Sequence, residues 1–244
     1  MADLEAIGCR TLALDVTSER SMTTAVDGIT DAHGGVGVLI NNAGYSQSGA
    51  VEAVPMDRVR AQFETNVFGL VRLTQLVLPG MRGARAGRIV NIGSMGGKLV
   101  FPGGGIYHAT KYAVEAISDA LRFEVRGFGI HVVLIEPGLI RSHFADAASA
   151  GMPAGGAADV YAAFHARVEQ ATRDAYERGM ASRLSSPPEA VAAAIERAIT
   201  ARRPRPRYVV SPSAHLFMTQ RRLLGDRAWD RFLRTVYPSP GDEP

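Results

Sequence analysis

The feature that most constrains this chain is an alternation of short apolar, β-branched runs with longer stretches of helical period. The runs fall at residues 11–14, 36–40, 88–92, 132–135 and 208–210. Helical patterns occupy about 18–33, 55–82, 107–128 and 187–202. Strands that alternate with helices of such length fold as a parallel sheet covered by helices. The runs are almost continuously hydrophobic, as strands buried on both faces must be. The fold class is therefore α/β, with a doubly wound parallel sheet. Hydrophobic residues make up 46% and charged residues 21% of the 244, an ordinary globular composition. Neither repeats nor a linker divide the chain, so residues 1–244 read as one domain.

Local signals refine the elements. Ser186 before Pro187-Pro188-Glu189 marks a helix start. Gly127 and Gly129 close the 107–128 helix. Residues 145–158 are rich in Ala and Gly, include Pro153 and show no period. They read either as a flap over an active site or as a plain surface loop. A helix from Val160 to about Met180 follows.

Tyr107 and Lys111 stand four residues apart, on one face of a helix. A lysine beside the phenol favours the phenolate, so the pair is expected to act as a general acid/base at lowered phenol pKa. By itself the spacing is common on solvated helix faces. Its context is more selective. Ser94 follows the 88–92 run, at a strand end where ligands bind in such sheets. Asn66 lies inside the 55–82 helix, where asparagine is a poor former and needs a reason to be. Asn41-Asn42-Ala43-Gly44 follows the 36–40 run, and Pro137-Gly138 follows 132–135. Small residues there allow close backbone approach by a ligand.

In order and spacing, Asn41-Asn42-Ala43-Gly44, Asn66, Ser94, Tyr107-x-x-x-Lys111 and Pro137-Gly138 resemble the short-chain dehydrogenase/reductase family across about residues 9–142. The resemblance implies a Rossmann-like sheet and a hydride transfer between NAD(P) and a carbonyl or secondary alcohol. It makes Tyr107 the acid/base, Ser94 the partner of the substrate oxygen and Lys111 the holder of the nicotinamide ribose. Asn66 would anchor a water in a proton relay ending at Lys111. Asp15 and Val16 would meet the adenine, and Asn42, Ala43 and Gly44 the adenosine ribose. Pro137, Gly138, Ile140 and Ser142 would contact the nicotinamide amide and the pyrophosphate. Around residues 41–144 the likeness is greatest to the 17β-hydroxysteroid and retinol dehydrogenase branch. That branch implies a bulky apolar alcohol or ketone, a lean to NADP with NAD not excluded, and a homodimer or homotetramer through the helices starting near Pro55 and Tyr107.

One part of the family pattern does not occur: a glycine-rich turn between a first strand and its helix. Gly34-Gly35-Val36-Gly37 precedes a strand instead of following one. The sequence is thus expected to lack the first βαβ portion of the sheet. In the family order 3-2-1-4-5-6-7, the missing strands would lie between 11–14 and 36–40, so 36–40 would lose a neighbour unless 11–14 slid over to pair with it. A truncated dehydrogenase and a non-catalytic remnant serving as scaffold or interaction partner both follow from that expectation.

Other functions are excluded or demoted. Ile92-Gly93-Ser94-Met95-Gly96 has isoleucine where a nucleophile elbow needs glycine. The six histidines lack metal-ligand spacing. A formal charge of +3 is too small to call for a nucleic-acid partner, and the 202–207 arginine run reads as a solvated connection. Residues 214–236 are amphipathic, which reads as core packing first, and second as a lid over an apolar substrate or an interfacial membrane helix. Phe101, Pro102, Met95, Leu139 and Phe144 would surround an apolar pocket mouth. With one cysteine, Cys9, no signal-like N-terminus and no apolar run of about 20 residues, a cytoplasmic location is expected.

Overall fold

The computed structural model describes residues 2–142, 144, 148, 151–153, 160–178 and 180–240. Their sheet is parallel and four-stranded, in the order β1 (Val38–Asn41), β2 (Gly87–Ile92), β3 (Ile130–Pro137) and β4 (Arg207–Val210). β2 and β3 share the longest register, from Gly87 against Ile130 to Ile92 against Ile135. Side chains alternate across the sheet at period two. Ile89, Ile130 and Val132 pack with Val77, Met81 and Leu121, while Val90, Val133 and Ile135 pack with Ala194, Ala198 and Val210.

The first of these faces is covered by α4 (Gly69–Ala84) and α5 (Gly105–Glu124), and the second by α8 (Pro188–Thr200). The other described helices are α1 (Ala2–Ala6), α2 (Glu19–His33), α3 (Met56–Phe63), α6 (Ala162–Glu177), α7 (Met180–Arg183), α9 (Pro212–Leu223) and α10 (Asp226–Arg234). Helices on both faces make the sheet doubly wound, as the strand–helix alternation predicts.

Several expectations need correction. Residues 11–14 form no strand: Leu12 and Leu14 are 37% and 48% exposed and join no ladder. A strand exists only through a partner, and here 11–14 neither finds one nor slides onto β1. β1 is accordingly an edge, with Val38 and Ile40 about half-exposed. The 55–82 helix is three pieces, α3 and α4 being joined by a π-helical turn, Glu64–Phe68. α8 starts one residue later than Ser186 implied, with Pro187 in the cap position. The Ser186 backbone instead bridges to Ile140. The 160–180 helix ends at Glu177, before the separate turn α7. Within the 145–158 segment, 145–147, 149–150 and 154–158 lie outside the described residues. Ala148 is buried, and Met152 packs against the Ala50–Phe164–Val168 cluster.

After α5 the chain makes a 3-10 turn, Arg126–Phe128, and enters β3 through Gly129 at φ 75°. A Cβ there would stand 2.3 Å from the Arg85 carbonyl oxygen, a backbone atom that cannot swing away. Gly129→Ala is therefore expected to destabilise the fold by about 1–3 kcal/mol. Urea unfolding would show this as a lowered midpoint with an unchanged slope.

Candidate active site

Because all four strands run the same way, their C-terminal ends share one edge, where ligands bind in open α/β sheets. A cavity of about 1100 Å³ opens there. Ile92, Ser94, Pro137 and Gly138 form its sheet side, and Val168, Tyr176, Phe217, Phe232 and Leu233 face them from α6, α9 and α10. The amphipathic 214–236 stretch contributes to both the core and the cavity wall. Trp229 is 4% exposed in the core, while Phe217 and Phe232 line the cavity. Met95, Phe101, Pro102, Leu139 and Phe144 line it as well.

Tyr107 lies in the first turn of α5 and Lys111 one turn later. Ser94 shares the cavity wall with the phenol, and its Oγ accepts the Gly96 N–H at 3.0 Å and so starts the turn Met95–Gly97. The Lys111 ammonium is buried, donates to the Ile92 carbonyl at 2.8 Å and stands 5.8 Å from the Tyr107 ring centre. The expected fall in phenol pKa does not occur. Burial raises Tyr107 to about 12 against the lowering pull of Ser94, and burial lowers Lys111 to about 8. Desolvation disfavours both charges and here outweighs their attraction.

Asn66 has its reason to be in a helix. It lies in the π turn, 2% exposed, with its side chain turned to the loop after β1. The Tyr45 N–H donates to its Oδ1 at 3.1 Å, and its Nδ2 donates to the Tyr45 carbonyl at 2.9 Å and to Thr110 Oγ1 at 3.0 Å. A Cβ on Gly44 would lie 3.2 Å from Asn66 Oδ1 and 3.9 Å from Lys111 Nζ. Asn66, Gly44 and Lys111 therefore meet, around a position only a glycine leaves open. Behind them Asn41 donates to Asn91 at 2.9 Å, and Asn91 to Ser118 at 2.9 Å, tying β1 and β2 to α5.

The remaining candidates divide. Asn42, Gly44, Pro137, Gly138, Ile140 and Ser142 line the large cavity. Gly138 is pressed against α9: a Cβ would fall 2.6 Å from the Ala214 nitrogen. Val16 and Ala43 line a smaller cavity of about 230 Å³, which Asn42 also borders. Asp15 lines neither, and its exposed carboxylate accepts from the Thr17 N–H at 2.9 Å and hydroxyl at 2.7 Å. The residues that could hold a nicotinamide and its ribose are thus gathered in one crevice, and the glycine gap beside Lys111 and Asn66 fits such a group. Asp15 is not turned to that crevice. Among the described residues no cluster of three or more His, Cys, Asp or Glu could hold a metal, and no helix is long and apolar enough to cross a membrane.

Two residues escaped the sequence reading. Tyr176 reaches the cavity from α6, and burial together with the nearby Tyr107 raises its pKa. His108, 6% exposed, contacts the Gly96 carbonyl through Nδ1 at 2.9 Å and accepts the Phe101 N–H at Nε2 at 3.1 Å. The acceptor role at Nε2 fixes the neutral Nδ1–H tautomer. Only its position next to Tyr107 could have drawn attention to it.

Known proteins resemble the chain along most of its length. The profile described as short chain dehydrogenase matches residues 2–153. The chain is 45% identical over 137 residues to a 3-ketodihydrosphingosine reductase of Bacteroides thetaiotaomicron, covering 56% of this chain and 51% of that one. It is 36% identical over 227 residues to an NADPH-dependent 3-dehydrocapnine reductase of Ornithobacterium rhinotracheale, covering 91% and 78%. The crystal structure of a short-chain dehydrogenase from Streptomyces avermitilis superposes with a TM-score of 0.76 at 33% identity, covering 99% and 85%.

The His108 contacts predict acid sensitivity. Burial lowers its native pKa below the ordinary 6.5. The unfolded chain then binds the proton first, so the stability His108 contributes is full above about pH 6.5 and is lost as pH falls below it. The thermal midpoint is expected to drop between pH 6.5 and 5, with a smaller drop in His108→Gln. Identical profiles would contradict the assignment.

Proposed function

This chain belongs to the short-chain dehydrogenase family, and from that premise we propose that it is a nicotinamide-dependent reductase of a bulky apolar ketone. The observation that carries the reading is the convergence of Ser94 and Tyr107 in the wall of the 1100 Å³ cavity, with Lys111 one helical turn away. The apolar side chains of α6, α9 and α10 over that cavity support a long or bulky hydrocarbon body on the substrate. Two relatives named as reductases, of 3-ketodihydrosphingosine and of 3-dehydrocapnine, support a keto group carried on such a body. The second is named NADPH-dependent, which supports NADPH as the reductant, with NADH the alternative. A scaffold role would leave the contacts among Ser94, Tyr107 and Lys111 without a purpose.

A bound nicotinamide supplies or accepts the hydride. Lys111, Asn42, Gly44, Pro137, Gly138, Ile140 and Ser142 would hold it along the strand ends. The substrate oxygen takes hydrogen bonds from Ser94 Oγ and Tyr107 Oη, which fixes the carbonyl carbon and polarises it. Tyr107 is protonated at neutral pH, with its pKa raised further by burial, so it is poised to deliver its proton as the oxygen gains charge. The Lys111 ammonium then faces the phenolate and offsets its charge. Asn66 keeps the Tyr45 loop and Thr110 against this pair, and the helices over the cavity exclude bulk water.

The test is oxidation of NADPH, and of NADH, with 3-ketodihydrosphingosine as substrate. Turnover is expected with the wild type, and Tyr107→Phe is expected to lower kcat/KM by about 100-fold or more. Lys111 is charged below about pH 8 and neutral above it, so kcat/KM is expected to fall as pH rises through that value. An active Tyr107→Phe variant would overturn the assignment of the acid.

A further inference from the structure

Directly behind the site lies a buried group of charges that the mechanism does not use. Glu136 on β3 is 1% exposed and Glu115 on α5 is 4% exposed. The two carboxylates flank the same guanidinium, that of Arg207. Arg207 of β4 donates to Glu115 Oε2 at 3.0 Å and to Asp119 Oδ2 at 2.7 Å, and its Nε lies 3.5 Å from Glu136 Oε1. Lys98, at the end of the turn that Ser94 starts, pairs with the same Glu115 Oε2 at 2.6 Å. Both cations thus converge on one oxygen of Glu115, while Arg207 reaches Glu136 only as an ion pair at 3.5 Å. The other Glu115 oxygen and both Glu136 oxygens receive no hydrogen bond from any described group.

Three buried carboxylate oxygens left without a hydrogen bond beside one guanidinium are costly, and one shared proton removes the conflict. We propose that Glu136 is held as a carboxylic acid donating to the Glu115 carboxylate, and that this shared proton is a clamp positioning the catalytic elements. The placement of the cluster supports this, given the assignment of Lys111 and Pro137–Gly138 to the active site. Glu115 is one helical turn beyond Lys111, and Glu136 immediately precedes Pro137 and Gly138. Lys98 closes the Ser94 turn, and Gly97 is packed so closely on this helix that a Cβ would fall 2.8 Å from Glu115 Cγ and 2.9 Å from the Lys111 carbonyl. One proton thereby joins the Ser94 turn, the Tyr107–Lys111 helix and the turn after β3. Glu136 and Glu115 touch neither reacting atoms nor cofactor, so they are positioning residues.

The charges that face Glu136 are Glu115 from α5, Arg207 from β4 and Lys98 from the Ser94 turn, with Asp119 reached through Arg207. Burial first, then the Glu115 carboxylate, pushes Glu136 from the ordinary 4.5 up to about 8. A carboxyl raised in the fold carries no penalty below pH 4.5, an increasing one as pH climbs from 4.5 to 8, and a constant one above. When the proton leaves to solvent, two anions remain side by side and the clamp opens.

The test needs neither cofactor nor substrate, so it fails or succeeds independently of the proposed reaction. The amides of Gly138 and Leu139 donate to the Val210 carbonyl and to Ser213 Oγ, both at 2.9 Å, next to Glu136. Corrected for the intrinsic pH dependence of exchange, their protection in the wild type is expected to fall about tenfold between pH 7 and 9. In Glu136→Gln, which keeps a neutral donor toward Glu115, it is expected to stay flat. Should that variant not fold, infrared spectra of the wild type decide alone: a protonated-carboxyl band present at pH 7 and gone at pH 9 is the expected result. Equal loss of protection in both proteins, or no protonated carboxyl at pH 7, would overturn the proposal.

Discussion

The parallel pairing of β2 with β3 is the constraint on which the site depends. It places Ile92 level with Ile135, so the chain leaves the sheet at two adjacent points: toward Ser94 on one side and toward Pro137 and Gly138 on the other. The Gly93 N–H donates to the Ile135 carbonyl at 2.8 Å, one step beyond the last paired residues. That bond carries the ladder into the active-site loop. α5 crosses the same two strands and presents Lys111 to the Ile92 carbonyl. Shifting this register by one residue would turn Ile89 and Val90 to opposite faces and separate Ser94 from Tyr107.

Within that frame, burial decides the electrostatics. A phenol and an ammonium one helical turn apart look, on paper, like a pair that lowers the phenol pKa. In the folded chain both are withdrawn from water, and each moves toward its neutral form. The same competition operates at the buried carboxylates, where Glu115 meets two cations and Glu136 has only the Arg207 ion pair at 3.5 Å and no hydrogen bond. Burial thus shifts Tyr107, Lys111 and Glu136 alike toward their neutral forms.

Much of this was legible in the sequence. Strand–helix alternation gave the sheet class, and the four strands β1 to β4 fall on apolar runs. Ser94, Tyr107 and Lys111 were recognisable because each stands at a position fixed by local periodicity relative to a strand end or a helix face. Residues 11–14 misled because an apolar run reports only that a strand could be buried, while its existence depends on a partner that no local pattern encodes. Asn66 was visible as an oddity, but the π turn that aims it at Tyr45 arises from tertiary contact. Tyr176 reaches the cavity from a helix far along the chain, and Glu136 reads as part of an apolar strand. Such long-range placements have no local signature.

The central claim is that this crevice holds a nicotinamide cofactor through Lys111. Calorimetric titration of the purified chain with NADPH at pH 7 measures it most directly, with Lys111→Met as the control. The account predicts saturable binding at one site in the wild type and a loss of about tenfold or more in affinity in the variant. No binding to a folded wild-type chain, or equal binding to both proteins, would contradict it.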